Sequence, residues 1–237
     1  MTASNLPEVW EWAEYYCPWC YITAVRLQEA LPEYQGRVKL RMRPFPLEVL
    51  GSGPAPRDIL DQEWWLAAIQ EPKAAFAPFA GNDFPTTTLP AFEAVWCALQ
   101  QDEALSFKYD LRIRRAFFAE SRNIGRPEVL FELAEEDGLD MTAFSRAYES
   151  GAARDAVLAE GRIGKETFGV RGTPTVMLAD GKRLHPPVAF PKFTDRKIVS
   201  IGQLPCIGDG CLDATRGLFE QAIAHHSSVG VASEDAK

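Results

Sequence analysis

The sequence predicts an α/β protein in which an all-helical block interrupts a strand–helix–strand unit and the hairpin and helix that complete it. Three observations lead there. A strand pattern over Glu8–Glu14 runs into Cys17-Pro18-Trp19-Cys20 and then a helix. Helical patterns with their own start and stop signals follow one another from Ala91 to Phe168. Strand chemistry returns at Thr175–Ala179.

In order along the chain, Val9, Trp10, Trp12 and Ala13 mix β-branched and aromatic residues in a short run, a strand signal. Cys20, Ala24, Leu27 and Leu31 recur at helical spacing and make one apolar face. Arg26, Gln28, Glu29 and Glu33 fall on the other side and are expected in solvent. Pro18 suits the first turn, where its missing N–H costs nothing. Val38–Arg43 alternates as a second strand, ended by Pro44 and Pro46. Gly51–Pro56 reads as a loop, Asp61–Gln70 as a short helix, and Pro72–Pro90 as an irregular stretch rich in Pro and Phe. That stretch either lines a groove or packs on the core. Helices are expected over Ala91–Gln101, Leu105–Ala119, Pro127–Asp137, Met141–Ser150 and Arg154–Phe168. Pro127 starts one, Asp140 caps another, and Gly138 and Gly151 end two. Asp180-Gly181 turns Thr175–Ala179 back into Lys182–Leu184. Ile198–Ile201 is a further short strand, Leu212–His225 the last helix, and Ser227–Lys237 a flexible tail.

Composition narrows the function. The 237 residues are 46% hydrophobic and 24% charged, an ordinary globule able to bury a core. Lys plus Arg is 25 against 33 for Asp plus Glu, a net charge of −8. That argues against nucleic acid and anionic membranes as partners. No apolar run approaches the roughly 18 residues of a membrane helix. Met1–Trp12 has neither a basic region nor an apolar signal core, so the chain as given is expected to be cytoplasmic. Five cysteines are too few for a disulfide scaffold, and three histidines supply a metal site poorly, so no metal is expected.

Cys17 and Cys20 are the chemical centre. Two thiols three apart at a helix start can close a disulfide. The first meets unpaired N–H groups and the helix dipole, which favour the attacking thiolate; the second lies one turn in and can resolve a mixed disulfide. Half a zinc site and inert thiols are the alternatives. Cys97 lies in an apolar helix and is expected to be buried and inert. Cys206 and Cys211 can form a local disulfide, exchange with the main centre, or join Cys17 and Cys20 as zinc thiolates. Lys108, Arg112 and Arg115 share a helical face that reads as solvated rather than as an anion site. Trp64-Trp65 reads as core, and His185, His225 and His226 have no visible partners.

The stretch from Trp12 through Tyr15-Tyr16-Cys17-Pro18-Trp19-Cys20-Tyr21-Ile22 resembles the opening of DsbA-like thioredoxin-fold oxidoreductases, especially the FrnE-like branch. Arg115-Ala116-Phe117-Phe118 with Glu120, the segment from Glu128 to Asp140, and Phe168-Gly169-Val170-Arg171-Gly172-Thr173-Pro174-Thr175 are similar to the same family. From His185 to Cys211 the chain departs from the pattern. The resemblance implies a discontinuous thioredoxin-like domain, 1–50 with 166–226, an inserted helical subdomain, 51–165, and the tail, 227–237. It implies that Cys17 attacks and Cys20 resolves, and that Thr173–Pro174 is cis beside them, leaving the Thr173 backbone free to pair with an extended substrate. Glu11, six residues before Cys17, would be a buried acid relaying the Cys20 proton, with Glu14 as its competitor. Pro18 and Trp19 would tune the potential; neither is cationic, so a weaker oxidant is expected than a relative with histidine there. The expected activity is thiol–disulfide exchange with protein or small-molecule substrates. No cofactor is expected to be bound, and a low-molecular-weight thiol such as glutathione would serve as co-substrate. The rivals are a glutathione-dependent isomerase of the 2-hydroxychromene-2-carboxylate or kappa type, which typically carries serine where this chain has Cys17, and a zinc-stabilised binding module.

Overall fold

The strand β1 (Glu8–Ala13) organises a four-stranded sheet of order β2-β1-β3-β4. The computed structural model describes residues 6–51, 53 and 56–234. β2 (Lys39–Pro44) pairs with β1 in parallel, from Glu8 opposite Lys39 to Ala13 opposite Pro44. A parallel pair needs a crossover. The helix α1 (Pro18–Ala30), continued by a 3-10 turn over Leu31–Tyr34, supplies it. β3 (Thr175–Leu178) lies antiparallel on the other side of β1, with Glu11 opposite Val176, and β4 (Arg183–Leu184) closes the order.

Between β2 and β3 come α2 (Leu47–Leu50), α3 (Arg57–Gln70), α4 (Leu89–Leu99), α5 (Glu103–Glu120), α6 (Pro127–Glu136), α7 (Met141–Glu149) and α8 (Ala152–Glu166). Their ends carry local reasons. The Asp102 carboxylate accepts from Leu105 N, and that of Asp140 from Thr142 N and Ala143 N, satisfying N–H groups a helix start leaves unpaired. A core rich in aromatic rings, including Trp64, Phe79, Phe117 and Phe118, holds these helices to α1. The last of them returns to the sheet at Gly164, where a Cβ would sit 2.6 Å from the Trp12 ring. Only glycine permits that approach.

β1 alternates, so Val9, Glu11 and Ala13 face one way and Trp10 and Trp12 the other. Val9, Leu40, Val176 and Leu178 are buried with Leu27 and Ala30 of α1 and with Leu218, Phe219 and Ala222 of α9 (Asp209–Glu234). Trp12 and Met177 pack on the opposite side with Phe45, Leu50 and Val170.

Four local expectations differ from the structure. Arg26 is buried, because α3 covers the side of α1 that helix-face counting leaves in water. Its Nε donates to Glu71 at 2.8 Å, Nη1 to the Pro187 carbonyl at 2.6 Å, and Nη2 to the Gln70 carbonyl. The last helix passes Ser227 and continues to Glu234 instead of giving way to a tail. The Ser227 and Ser228 hydroxyls bond back to the Ile223 and His225 carbonyls, so small polar residues do not break the helix there; residues 235–237 lie outside the described part. His225 has a partner, with Nε2 2.6 Å from Asp180 Oδ2. The segment Lys197–Ile201 (β6) pairs with an additional strand, β5 (Pro191–Thr194), in a separate two-stranded ribbon. Asp195 and Arg196 turn it with φ of 49° and 63°, the positive-φ geometry of a two-residue hairpin. A four-residue strand that starts on proline carries little strand signal. Among the described residues no helix is long and apolar enough to cross a membrane.

Candidate active site

Cys17 is the N-cap of α1, with extended backbone (φ −81°, ψ 110°) and Pro18 next to it. It therefore sits where helix N–H groups lack partners and the dipole is positive. Cys17 is 9% exposed and Cys20 fully buried, and both are free thiols. The Cys17 thiol donates to the Thr173 carbonyl at 3.5 Å, and the Thr173–Pro174 peptide is cis. Cys20 Sγ accepts from Glu14 N, also at 3.5 Å. Burial, helped by Cys17 and Glu11, pushes the Cys20 thiol well above its ordinary pKa. A groove of about 270 Å³ opens over Cys17, bordered by Trp19, Glu63, Thr173, Phe190 and Pro191.

Residues 8–196 match the DSBA-like thioredoxin domain. The chain belongs to that family. The uncharacterized protein YwbO of Bacillus subtilis (strain 168) is 29% identical over 181 residues, covering 71% of this chain and 85% of YwbO. Solved structures share the fold. A putative protein disulfide isomerase from Nitrosomonas europaea superposes with a TM-score of 0.69 at 20% identity, over 94% of this chain and all of the other. The cytosolic disulfide reductase DsbM from Pseudomonas aeruginosa gives 0.66 at 21% identity, over 92% and 98%. The same reductase, solved with GSH, gives 0.59 at 22% identity, over 92% and 99%.

In this DsbA-like chain two carboxyl groups lie under the thiols, in different situations. Glu11 occupies the β1 face that α1 covers, fully buried, with neither oxygen hydrogen-bonded. Burial holds its carboxyl well above the usual range, against the opposing field of Arg114. Glu14 is equally buried but fully engaged. It accepts from Tyr15 N at 2.6 Å, Tyr16 N at 3.3 Å, Leu47 N at 2.7 Å and the Thr88 hydroxyl at 2.7 Å. Burial outweighs those bonds and raises it to about 7. Glu14 is thus bonded into the loop before Cys17, whereas Glu11 has a free buried carboxyl.

Two further features of the site went unread in the sequence. Arg114 and Asp110, both buried, pair at 2.9 Å; the Tyr15 hydroxyl donates to Asp110, and Arg114 Nη1 donates to the Glu14 carbonyl at 3.3 Å. The clue was an Asp–Arg pair at i,i+4 beside an apolar face. Glu63 accepts from Trp19 Nε1 at 3.1 Å, and burial raises its carboxyl above the usual value. Nothing in the local sequence ties Glu63 to Trp19, 44 residues away.

Other candidates fall elsewhere. Lys108, Arg112 and Arg115 pair with Asp137, Glu120 and Glu136 on the surface of the helical block. Cys97 is buried, with a thiol pushed up to about 12 by that burial. Phe79 is core, and Pro85 accepts from the Tyr16 hydroxyl, so the Pro/Phe stretch backs the site from inside. Trp64 is buried, whereas Trp65 is exposed. Cys206 and Cys211 are bonded to each other with Cα atoms 5.0 Å apart, and Cys206 Sγ lies 3.9 Å from the Pro187 carbonyl oxygen.

Proposed function

We propose that the protein is a thiol–disulfide oxidoreductase acting through Cys17 and Cys20 on thiol- or disulfide-bearing proteins or small molecules. The observation that carries this is the asymmetry of the pair. Cys17 opens on a groove at a helix N-terminus beside the Thr173 carbonyl, and Cys20 is sealed one turn behind it.

In the reducing direction, the Cys17 thiolate attacks one sulfur of a substrate disulfide and expels the other as a thiolate. A mixed disulfide to Cys17 results. Cys20 then gives up its proton and attacks Cys17 Sγ, releasing the second substrate thiol and leaving a Cys17–Cys20 disulfide. Two electrons pass from the cysteine pair to the substrate. Two equivalents of a thiol such as glutathione would restore the pair, and the same steps reversed oxidise a dithiol. Glu11, buried without a partner, is suited to take the Cys20 proton. Pro18 and Trp19 add no positive charge beside the thiolate, which favours a weaker oxidant.

The likeness to a cytosolic reductase solved with GSH supports a cytoplasmic setting and glutathione as co-substrate. The Cys-Pro-Trp-Cys-Tyr run supports the FrnE-like branch. The bond between Cys206 and Cys211 removes two of the four thiolates that the zinc alternative needs, and leaves an accessory disulfide whose exchange with Cys17 is part of the proposal. The intact pair disfavours the glutathione-dependent isomerase.

The test is trapping. Cys20→Ser protein incubated with a disulfide should accumulate an adduct at Cys17, found by peptide mass spectrometry, and Cys17→Ser should form none. No adduct at Cys17 in the presence of excess disulfide would sink the reading.

A further inference from the structure

Between β4 and α9 the chain passes the active-site groove and projects as the β5–β6 ribbon. The passage is fixed at three points. Pro187 accepts from Arg26, Ala189 makes two hydrogen bonds with the Gln70 side-chain amide at 2.8 and 2.9 Å, and Phe190 packs on Trp19. The ribbon itself is held by α3. Gln62 donates to the Arg196 carbonyl and accepts from Ile198 N, and Arg196 pairs with Asp58. Those contacts occupy the β6 side. Among the described residues the outer edge of β5 has no strand beside it.

The ribbon is amphipathic. Cross-strand partners share a face, so Pro191 with Ile201 and Phe193 with Ile198 form an apolar face. Lys192 with Ser200 and Thr194 with Lys197 form a polar one. Phe193, Val199 and Ile201 are 36%, 60% and 38% exposed. Lys192 and Lys197 are exposed and make no ion pair among the described residues. From Pro186 to Cys206 the basic residues are Lys192, Arg196 and Lys197 and the acidic one is Asp195, in a chain of net charge −8. With Arg196 paired to Asp58, Lys192 and Lys197 are the ribbon's unpaired cations among the described residues, beside an apolar face on a chain of net charge −8. The ribbon is also continuous with the site, because Pro191 belongs both to its apolar face and to the wall of the groove over Cys17.

We infer that the β5–β6 ribbon docks extended polypeptide substrates and selects cysteines flanked by apolar and acidic residues. The inference rests on the proposed Cys17 chemistry. An incoming strand adds to the free edge of β5 through main-chain hydrogen bonds. Its apolar side chains cover Phe193 and Ile201, its acidic ones face Lys192 and Lys197, and its cysteine enters the groove. The mixed disulfide then forms and resolves as described above, with no further reactant. A second copy of this chain seated on the ribbon would cover the groove through which Cys17 is reached, so continuity with the groove favours a substrate.

The test uses the full-length, prereduced protein and second-order rate constants for its oxidation. Three disulfides are compared: a peptide with Asp and Glu flanks, one of equal length with Lys and Arg flanks, and bis(2-hydroxyethyl) disulfide. The unsubstituted protein should favour the acidic peptide over the basic one by about tenfold at low salt, and the preference should shrink as salt screens it. Lys192→Glu/Lys197→Glu should lower the ratio of acidic-peptide to small-disulfide rate about tenfold. Phe193→Ser/Ile201→Ser should lower both peptide rates relative to the small disulfide. Equal peptide rates at low salt, or ratios that these substitutions leave unmoved, overturn the inference. So does sedimentation showing a dimer that the same substitutions dissociate. Failure to react with the small disulfide overturns the reading of Cys17 instead.

Discussion

The Cys17 thiol lies 3.5 Å from the carbonyl oxygen of Thr173, a residue 156 positions later in the chain. The contact joins the start of α1 to the loop entering β3, and the whole helical block lies between them in sequence. In the proposed mixed disulfide, a substrate sulfur on Cys17 would lie beside the Thr173 backbone. In the proposed exchange with an extended substrate, Cys17 would be the nucleophile and the Thr173 backbone the main-chain recognition element beside it.

Exposure sets an order of reaction among the free thiols. Cys17 is 9% exposed, and Cys20 and Cys97 are fully buried, with burial raising both of the latter thiols. Only thiolate reacts. Under limiting iodoacetamide Cys17 should be alkylated first, about 100-fold faster than either of the others, as timed quenching and peptide mass spectrometry would show. Prior labelling of Cys20 would reverse the roles assigned to the pair.

Glu11 has two buried oxygens without partners, and burial keeps it protonated to unusually high pH. As an acceptor for the Cys20 proton it must be ionised, so resolution should quicken as pH rises through its elevated pKa. Glu11→Gln should slow release of the mixed disulfide roughly 10- to 100-fold and flatten that pH dependence. Stopped-flow release of a labelled peptide from Cys17 measures it. A Gln variant with the native rate and pH profile would leave Glu11 a bystander.

Glu14 carries a stability prediction. Its carboxyl is raised to about 7 in the folded protein from an ordinary 4.5. The folded state thus binds the proton more tightly than the unfolded chain. The associated stability is complete below the unfolded pKa and is lost as pH rises through about 7. The loss attributable to this residue is on the order of 3 kcal/mol between pH 4.5 and 8. Urea unfolding of the native protein should show it, and Glu14→Gln should not. Parallel pH profiles for the two proteins would contradict it.

Arg26 and Glu71 form an ion pair with both side chains buried. Removing one partner strands the other charge and frees the Pro187 and Gln70 carbonyls. Arg26→Met should cost about 3–5 kcal/mol. Arg26→Met/Glu71→Leu should recover part of that cost. Thermal or urea unfolding decides, and an unchanged midpoint in the single variant would refute it.

Local pattern carried much of this fold into the sequence. The Asp140 cap, Pro18 at the start of α1, and the Asp180-Gly181 turn are short-range chemistry, and short-range chemistry can be read from neighbours. The Cys17–Cys20 pair was legible because its spacing and its strand–helix setting are local too. Arg26 was not, since its burial depends on α3, and no periodicity in α1 announces a second neighbour on its polar side. The same holds for Glu63 meeting Trp19 and for the four-point anchoring of Glu14. β5 was lost for a different reason: a strand beginning on proline, half of it polar, is stabilised by its hairpin turn rather than by its own composition.

The Glu14 carboxyl has a further consequence. One oxygen holds the Tyr15 and Tyr16 amides and the Thr88 hydroxyl at the start of α4, and the other holds the Leu47 amide at the start of α2. Lifting the front of the helical block away from β1 would break the Leu47 and Thr88 bonds together and admit water to the carboxyl that holds the Tyr15 and Tyr16 amides. Amide hydrogens of Tyr15, Tyr16 and Leu47 should therefore exchange with deuterium as one cooperative unit rather than as three independent loops. The segment bearing Cys17 would then open only when the helical block undocks.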